Sequence, residues 1–589
     1  MIGSMTVLDR IRQYLGNVYL EDEAGIIYGW ILDKINDFKD EYPAVIFPLQ
    51  QNEISTKGDV ILITYGDQFL EAGQQPLSTL HKFLDDYLGD VISGLHILPF
   101  YPYSSDDGFS VIDYRRVDSK LGGWDDIREL SQHYALMFDA VINHISRQSE
   151  WFEAYRSDKM PYKEYFITVD PKEDLCMVVR PRALPLLTPV KTNSGLRHVW
   201  TTFSDDQIDL NYSQPLVLLE IIDLLLYYVA RGASLIRLDA IAYLWKEKGT
   251  PCIHLPQTHY VVKLFRAILD EVAPHVILIT ETNVPHEDNI SYFGDFLPET
   301  GMTDEAQLVY QFPLAPLIVH TFRVGNITRL NDWAKTANST SSFLNFIASH
   351  DGIGLLPAYG LLAESEIQAL VERTIAHGGK VSYKVNSDGS RSVYELNVTL
   401  YDALNNPDTT NIDIGVRRFL ATQAIMISLA GVPGIYVHSL FGSRNCTNCV
   451  EKSGRARSIN REKFQYSKLL AELQDKESRT SRIFFGYKHL LRIRKTVRAF
   501  HPSGAQRILN LHPGVFSLIR YSPGGDECIV CLVNVTSARQ EVELPLKELN
   551  LPFEKTWIDL IEPMKYNAIN YVLRISLRTY QTLWLRPNG

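Results

Sequence analysis

Three short segments of the sequence place an acidic residue at or just beyond the end of an apolar run. The runs and their acids are Ala233–Leu238 with Asp239, His275–Thr280 with Glu281, and Phe343–Ser349 with Asp351. Such runs are typical of parallel strands that are covered on both faces. In a (β/α)8 barrel the C-terminal ends of the strands open onto one face, which carries the active site. The pattern therefore predicts an α/β fold, a TIM barrel with three acids on its catalytic face.

Three acids in this arrangement can serve only a few kinds of structural or catalytic role. A single acid at a strand end is more often a helix cap or a salt-bridge partner. Two carboxyl groups suffice for hydrolysis or transfer of a glycoside, and a third can hold the sugar. Arg237 and His350 stand beside two of the acids. The three segments in this order therefore favour a catalytic site over three independent structural acids.

Length and composition narrow the class further. The chain has 589 residues, 45% of them hydrophobic and 22% charged, which indicates an ordinary globular protein of two to four domains. It carries 31 Tyr, 25 Phe and 8 Trp, as sugar pockets and large cores both require. The net charge of −11 argues against a nucleic-acid partner. An anionic substrate would therefore need a local cluster of basic residues.

The sequence predicts a cytoplasmic protein. Met1–Arg10 contains Asp9 and no apolar segment of the secretory type. The longest apolar stretch, Pro215–Ala230, is interrupted by Glu220 and Asp223, which predicts a buried helix and no membrane partner.

Six cysteines in a chain of this length do not form a disulfide framework. Cys446-Thr-Asn-Cys449 and Cys528-Ile-Val-Cys531 together suggest a four-thiolate zinc site. The second pair, however, lies in a predicted strand, Glu527–Asn534, where residues three apart point to opposite faces. We therefore expect free thiols and no zinc.

The chain divides into segments of different pattern. Helical spacing of Leu8, Ile11 and Leu15 marks the beginning, and proline-rich sequence follows His144. Short strands separated by turns mark the end of the chain. The predicted segments are a helical N-terminal extension (1–57), a catalytic barrel (58–144 and 213–504), a small domain inserted after strand 3 (145–212), a long loop on the catalytic face (378–407) and a C-terminal antiparallel β domain (505–589).

Further motifs accompany the three acid segments. They are Asp139-Ala-Val-Ile-Asn143-His144, His96-Ile-Leu-Pro-Phe-Tyr-Pro102, Asp106-Asp-Gly-Phe109, Trp200-Thr-Thr-Phe203, Gln207-Ile-Asp-Leu210 and Gly454-Arg-Ala-Arg457-Ser-Ile-Asn460-Arg461. With these motifs the sequence from about residue 60 onward resembles the α-amylase superfamily, and within it the sucrose-phosphorylase-like branch of glucosyl phosphorylases.

The resemblance has two departures from the wider superfamily. Amylases that act on polysaccharides usually carry Lys-His after the nucleophile motif, where this chain has Ala242 and Tyr243. This disfavours starch as a substrate. The segment from Glu281 to Phe293, the N-terminal extension and the segment from Arg180 to Thr188 look most like the glucosylglycerate phosphorylase subgroup.

The resemblance implies a role for each acid. Asp239 would be the nucleophile that forms a β-linked glucosyl-enzyme, and Glu281 the acid and base. Asp351 would hold glucose hydroxyls and stabilise the charged transition state. Arg237, two residues before Asp239 on the same strand face, can hold Asp239 ionised and aimed.

The resemblance also implies contacts to the glucose. The residues expected to bind substrate are Asp106, Phe109, His144, Phe203, Gln207, Arg237, His350 and Arg457. Asn143 matches a position that binds calcium in some amylases, but this branch is generally metal-free. We therefore expect no metal and no cofactor, with inorganic phosphate as co-substrate.

A phosphorylase must bind a phosphate dianion where a hydrolase admits water. Guanidinium groups and hydroxyls suit this task. The candidates are Arg180, Arg182, Tyr394, Arg455 and Arg457. Glycerate is an anion as well, and the sequence does not assign individual arginines to individual anions.

The leading prediction is a retaining α-glucosyl phosphorylase that releases α-glucose 1-phosphate from glucosylglycerate. Sucrose or sucrose 6′-phosphate phosphorylase, and a sucrose hydrolase or transglucosidase, use the same acids and stay open as alternatives. A non-catalytic amylase-like scaffold is disfavoured because the chain keeps all three acids. The expected partners are a small glucoside and phosphate, and the expected assembly is a monomer or homodimer.

Overall fold

The protein is described from a computed structural model of residues 5–46, 60–298, 300–336, 342–385, 390–408 and 411–588. Parts of four predicted segments lie outside the described residues: 1–4 and 47–57 of the N-terminal extension, 58–59, 299, 337–341 and 409–410 of the barrel, 386–389 of the catalytic-face loop, and 589 of the β domain.

Eight parallel strands of the described chain close into a barrel. They are β1 Ile61–Thr64, β2 Gly94–Ile97, β3 Ala135–Ala140, β4 Ala233–Leu238, β5 Ile277–Thr280, β6 Leu308–Tyr310, β7 Ser342–Asn345 and β8 Val432–Tyr436. Each strand pairs with its neighbours in the chain, and β1 also pairs with β8. The fold-class prediction of a TIM barrel is therefore confirmed.

The strands differ in detail from the sequence prediction. β4 has the predicted bounds, whereas β6 is only three residues long and was not predicted. β7 ends at Asn345, well before the predicted Ser349. Asp351 consequently lies in the loop that follows β7, not at the strand end.

Helices surround the barrel, and the apolar run Pro215–Ala230 forms the helix predicted for it. Further helices are Pro76–Tyr87, Trp124–His133, Pro256–Val272, His286–Ile290, Leu314–Val324, Thr328–Thr336, Glu364–Ala376, Ile412–Ser428, Val437–Phe441, Thr447–Ser453, Tyr466–Gln474 and Arg479–Thr496. Within the described residues, no helix is both long and apolar enough to cross a membrane.

In the described residues before the barrel, two long helices, α1 (Val7–Val18) and α2 (Glu21–Glu41), are followed by one helical turn, Pro43–Ile46. Thr6 caps α1 through a capping box with Asp9, which satisfies free backbone N–H groups at the helix start. Ile11, Leu15 and Ile31 are fully buried. The helices pack on Pro215–Ala230 and Pro256–Val272, so the extension covers one side of the barrel.

The residues between β3 and Pro215 form a small substructure on the catalytic face. It contains the helix Glu150–Arg156 and an antiparallel hairpin of Leu187–Thr192 and Gly195–Trp200. A second pair joins His144–Ser146 to Gln207–Asp209. The two ends of the insertion are therefore paired with each other.

The segment predicted as a loop at 378–407 is partly folded. Lys380–Val385 and Arg391–Asn397 form an antiparallel hairpin, and Ile353–Gly354 adds a third strand. The helix Leu400–Leu404 follows. This small sheet stands directly beyond the loop that carries Asp351.

The C-terminal residues form an antiparallel β domain, as predicted. Its larger sheet contains Gln506–His512, Val515–Tyr521, Cys528–Asn534, Thr582–Pro587, Thr556–Asp559 and Lys565–Asn567, and its smaller one contains Gln540–Pro545 and Val572–Leu577. A separate apolar core, which includes Trp557 and Leu573, fills the space between the sheets.

The cysteine prediction is wrong for one pair. Cys446 and Cys449 are joined by a disulfide, whereas free thiols were expected there. The expectation missed it because residues three apart at the beginning of a helix can approach closely enough to bond. Cys528 and Cys531 are free and pack into different apolar cores, on opposite faces of their strand as predicted.

Candidate active site

The three acids line a single cavity at the C-terminal end of the barrel. Asp239 follows β4, Glu281 follows β5, and Asp351 lies in the loop after β7. The cavity has an empty volume of about 640 Å³, part of it open to solvent. β4 and β5 are adjacent strands, which brings Asp239 and Glu281 side by side.

The backbone after Asp239 links the first two acids. Ala240 adopts a left-handed conformation with φ 48° and ψ 33°. Such a conformation is strained for a residue other than glycine and is retained where the surroundings enforce it. The Ala240 N–H donates a hydrogen bond of 3.1 Å to Oε2 of Glu281. The turn therefore fixes Glu281 relative to Asp239.

Arg237 is buried beneath the acids and contacts two of them and a third carboxylate, Asp139. Its Nη1 atom donates to Oδ1 of Asp239 at 2.9 Å and also contacts Asp139. Its Nη2 atom lies 3.8 Å from Oε2 of Glu281. Asp139 has a second partner in His96, at 2.7 Å. One guanidinium thus serves a fully buried structural carboxylate and two carboxylates of the cavity.

The pKa values reflect this sharing. Burial raises the pKa of Asp239 to about 8, Arg237 opposes the shift, and repulsion from Glu281 and Asp139 reinforces it. Burial also raises the pKa of Glu281, again against Arg237. Arg237 therefore contacts Asp239, but because its charge is divided among three carboxylates it does not offset the effect of burial on the pKa of Asp239.

Asp351 has the opposite environment. Arg457 contacts its Oδ1 atom, and Arg461 and His350 lie 3.5 Å and 3.7 Å from it. Burial works to raise the pKa of Asp351, but Arg457 and the other two groups hold it well below its usual range. Of the three acids, Asp351 is therefore the one that stays ionised.

Asp106 lies in a turn with left-handed backbone. The φ angles of Asp106, Asp107 and Gly108 are 53°, 51° and 113°. A Cβ atom at Gly108 would come within 2.6 Å of a Pro99 backbone oxygen, so this position requires glycine. Arg182 lies 3.2 Å from Asp106 and, against the effect of burial, lowers the pKa of that carboxyl.

Aromatic and imidazole rings form the walls of the cavity. Phe109 stacks on His350 with ring centroids 4.8 Å apart, and Phe203 lies 5.3 Å from His144. His144 Nε2 lies 2.9 Å from the carbonyl oxygen of Phe109, which also accepts a hydrogen bond from Gln207. Burial lowers the pKa of His144, so a neutral imidazole faces the site.

The anion candidates separate into two groups. Arg182, Arg457 and Tyr394 line the cavity, and the Arg182 guanidinium lies 5.8 Å from the Phe203 ring. Arg180 and Arg455 are not among its lining residues, and Arg455 is exposed. Arg182 comes from the inserted substructure and Tyr394 from the catalytic-face hairpin, so distant parts of the chain supply the basic side of the site.

Several residues of the site are absent from the sequence analysis as candidates. Arg461 contacts Asp351 and Asp107, and Glu395 binds Arg457. Arg461 is the last residue of the motif Gly454–Arg461, and its place in that motif is the sequence signal that could have identified it. Lining residues added by the structure are Ala240, Ala242, Tyr243, Thr282, Asn283 and Val284.

The position that matches a calcium ligand in some amylases has a cationic neighbour here. Lys246 Nζ lies 2.7 Å from Oδ1 of Asn143 and 2.6 Å from Oδ2 of Asp209. The lysine ammonium thus pairs with the oxygens of this position. No cluster of three or more His, Cys, Asp or Glu residues suited to a metal ion occurs in the described parts of the chain.

A closed barrel with three carboxylates and aromatic walls at its C-terminal end defines a carbohydrate-active enzyme of the (β/α)8 class. The family model for the α-amylase catalytic domain matches residues 82–360. A glucosylglycerate phosphorylase of Spirochaeta thermophila is 46% identical over 602 residues, with 99% of both chains covered. The chain belongs to the α-amylase family.

Two further comparisons agree with this placement. A glucosylglycerate phosphorylase of Allomeiothermus silvanus is 50% identical over 526 residues, which cover 87% of this chain and 93% of the relative. The crystal structure of sucrose 6F-phosphate phosphorylase from Thermoanaerobacter thermosaccharolyticum superposes with a TM-score of 0.72 at 24% identity. It covers 88% of this chain and 99% of that chain, and it shows the shared fold.

Proposed function

We propose that this protein is a retaining α-glucosyl phosphorylase that converts glucosylglycerate and inorganic phosphate to α-D-glucose 1-phosphate and glycerate. The observation that carries the proposal is the 46% identity, over 99% of both chains, with a relative named glucosylglycerate phosphorylase. The cavity supports it with three acids and with two arginines that could receive an anion.

In the first half-reaction, the Asp239 carboxylate attacks the anomeric carbon, and the bond to the glycerate oxygen breaks. Glu281 donates its proton to that oxygen, and a β-linked glucosyl-enzyme forms. Asp239 and Glu281 share one proton before the reaction. Burial favours the neutral form of Asp239, whose pKa is raised to about 8, but Arg237 lies 2.9 Å from Asp239 and 3.8 Å from Glu281. In the reactive form of the pair Arg237 therefore favours the negative charge on Asp239 and the proton on Glu281.

In the second half-reaction, an oxygen of hydrogen phosphate attacks the same carbon and displaces Asp239. Glu281, now ionised, takes up the phosphate proton and returns to its starting state. Two inversions leave the α configuration unchanged. Arg182 and Arg457 are proposed to receive the glycerate carboxylate and then the phosphate, with the Tyr394 hydroxyl as a further donor.

The other cavity residues are proposed to bind the glucosyl unit. Asp351, Asp106 and His144 would hold hydroxyl groups, and Gln207 and His350 would orient them. Arg237, which lies beneath the cavity and is not among its lining residues, would act on the sugar through Asp239. Phe109 and Phe203 would pack against the sugar ring. Segments 145–212 and 378–407 would act as an inserted domain and a catalytic-face loop that together build the acceptor side. Arg180 and Arg455, which do not line the cavity, would attract anions toward it.

Phosphorolysis by this route uses acid–base and covalent chemistry of side chains, so we propose that it needs no cofactor beyond phosphate as co-substrate. A cytoplasmic location is proposed because four of the six cysteines, Cys176, Cys252, Cys528 and Cys531, are free thiols, although the Cys446–Cys449 disulfide does not favour a reducing compartment. A small glucoside and phosphate are the proposed partners, and a monomer or homodimer is the proposed assembly.

The test is to incubate the enzyme with phosphate and, separately, glucosylglycerate, sucrose or sucrose 6′-phosphate, measuring glucose 1-phosphate and free glucose. We expect the highest kcat/KM for glucosylglycerate, because arginines that receive a carboxylate are left without a partner by a neutral fructosyl group. Asp239→Asn is the control and should lose about a thousandfold or more of the activity.

Each alternative has its own outcome. A clear preference for sucrose or its phosphate would replace the substrate while leaving the three acids in their roles. Free glucose as the main product at saturating phosphate would make the protein a hydrolase. An Asp239→Asn variant within about tenfold of the parent rate would remove Asp239 as the nucleophile.

A further inference from the structure

Glu395 is a buried carboxylate beside the cavity to which the proposed mechanism gives no role. It lies on Arg391–Asn397 and is 1% exposed. In the strand pairing it stands opposite Gly354, just beyond the loop of Asp351. A Cβ atom at Gly352 would lie 2.5 Å from Cγ of Glu395, so the two segments are in close contact.

Both carboxylate oxygens of Glu395 bind Arg457. Nε of Arg457 donates to Oε1 at 3.1 Å, and Nη2 donates to Oε2 at 2.6 Å. This paired geometry fixes the plane of the guanidinium as well as its position. The third nitrogen, Nη1, is turned toward Asp351 and contacts it. Arg457 therefore has one edge held by Glu395 and one nitrogen directed at the sugar-binding acid.

We propose that Glu395 is a positioning residue that orients Arg457, so that Nη1 serves Asp351 before substrate binds and the anionic acceptor afterwards. The proposal rests on the proposed function and deepens it. Without Glu395, the Nε and Nη2 edge of Arg457 loses its paired partner and the guanidinium can turn, so Nη1 is no longer held toward the acceptor anion.

Charge alone does not explain a carboxylate at this place. A buried negative group next to an anion site repels phosphate and glycerate, and so weakens their binding. Glu395 should therefore strengthen anion binding by orienting Arg457 and weaken anion binding by its own negative charge. Removing the charge while keeping the shape of the side chain separates the two effects.

The test uses Glu395→Gln, with Glu372→Gln on the exposed side of helix Glu364–Ala376 as the matched control. The glucosyl-enzyme is formed from α-glucosyl fluoride, and glucose 1-phosphate and glucose are measured over a range of phosphate concentrations. We expect Glu395→Gln to raise the KM for phosphate by about tenfold or more and to shift product toward glucose, with fluoride release much less affected. Glu372→Gln should match the parent.

A double-mutant cycle makes the assignment specific to Arg457. Lysine cannot form the paired contact, so Glu395→Gln should change the KM for phosphate by less than about twofold when added to Arg457→Lys. An unchanged or lower KM in Glu395→Gln alone would overturn the proposal, because Glu395 would then act by charge or not at all. Equal losses in every step together with a lowered melting temperature would also overturn it, in favour of a purely structural role.

Failure of the proposed function is a separate result. If the parent enzyme forms no glucose 1-phosphate, the phosphorylase assignment falls. Calorimetric titration of glycerate into the parent, Glu395→Gln and Glu372→Gln proteins then decides on Glu395. Weaker binding in Glu395→Gln alone supports the positioning role, and equal results for the three proteins overturn it.

Discussion

Arg237 offers one positive charge to three carboxylates, and this shortage sets the chemistry of the cavity. Asp139 takes part of the charge and has a pKa lowered to about 2 against the effect of burial. Asp239 and Glu281 share the remainder, and the pKa of each is raised. A proton is therefore retained between them near neutral pH, as an acid–base and nucleophile pair requires.

Stability should depend on pH through Asp239. Its pKa is raised to about 8 in the folded protein, above the value of about 3.9 in an unfolded chain. Between these values the carboxyl is neutral in the folded protein and ionised in the unfolded chain, so folding takes up a proton and the free energy of unfolding falls as pH rises toward 8. The Asp239→Asn variant lacks this carboxyl and so does not take up the proton. The melting temperature of the variant should exceed that of the parent by more at pH 8.5 than at pH 5, as measured by calorimetry. An equal difference at both pH values would contradict the raised pKa.

Glu281→Gln separates proton donation from nucleophilic attack. The amide cannot protonate a leaving alkoxide, so glucosylglycerate cleavage should fall by about 10²-fold or more. Fluoride needs little protonation, and α-glucosyl fluoride should still load the enzyme at a rate near that of the parent. Initial fluoride release and glycerate release give the two rates. Equal losses with both substrates would show that Glu281 is not the acid.

The sequence is most informative for acids that directly follow a strand. Asp239 and Glu281 are such residues, and their position on the barrel face follows from the strand pattern alone. Arg461 and Glu395 lie far along the chain from the acids that they influence. Their contacts depend on how two long connections fold over the barrel, which no local periodicity encodes. Arg180 shows the opposite case. Its sequence segment suggested a place at the anion site, but Arg180 is not among the lining residues of the cavity.

The disulfide segment shows how an element near the site is held in more than one way. Cys446 and Cys449 close only the first turn of helix Thr447–Ser453. Just before it, the Asn445 N–H donates to Oδ2 of Asp402 at 2.8 Å, and Asn445 Oδ1 accepts a hydrogen bond of 2.8 Å from the Thr399 N–H. The segment that leads to Arg457 is thus anchored independently of the sulfur bond.

The double variant Cys446→Ser, Cys449→Ser should therefore be only mildly affected. A disulfide that closes so short a loop contributes about 2 kcal/mol by the loop-entropy relation. We expect a melting temperature a few degrees lower and a KM for phosphate within about twofold of the parent. Parent protein treated with a reductant should behave like the variant. A tenfold rise in KM would show that the disulfide positions Arg457.

The bounds of an element were predictable where one long apolar run coincides with one strand or one helix. β4 and the helix Pro215–Ala230 have their predicted bounds for this reason. β6 is too short to produce a run. β7 was predicted too long because Phe346 and Ile347, although buried, belong to the loop beyond the strand. The hairpin at 380–397 is polar because it lies over the catalytic face, so its composition resembles that of a loop.

The N-terminal helices connect the outer side of the molecule to the segment that follows Glu281. Tyr14 of α1 donates a hydrogen bond of 2.8 Å to Oδ2 of Asp304, which also lies 3.1 Å from Lys263. Asp304 in turn accepts a hydrogen bond of 2.7 Å from the Asp295 N–H. The extension is consequently part of the structure that supports this loop.

Tyr14→Phe tests whether this contact mainly stabilises the protein. Burial and the Asp304 carboxylate raise the pKa of Tyr14, so its hydroxyl remains a donor at all relevant pH values. Loss of a buried hydrogen bond to a charged group should reduce the free energy of unfolding by about 1.5–3 kcal/mol. Lys263 and the Asp295 N–H still hold Asp304, so kcat should stay within about threefold of the parent.

Tyr28→Phe on α2, where the ring is half-buried, is the control and should leave both the free energy of unfolding and kcat unchanged. Calorimetry and initial rates of glucose 1-phosphate formation measure the two effects, and a large loss of kcat at unchanged stability would instead make the extension a part of the catalytic apparatus.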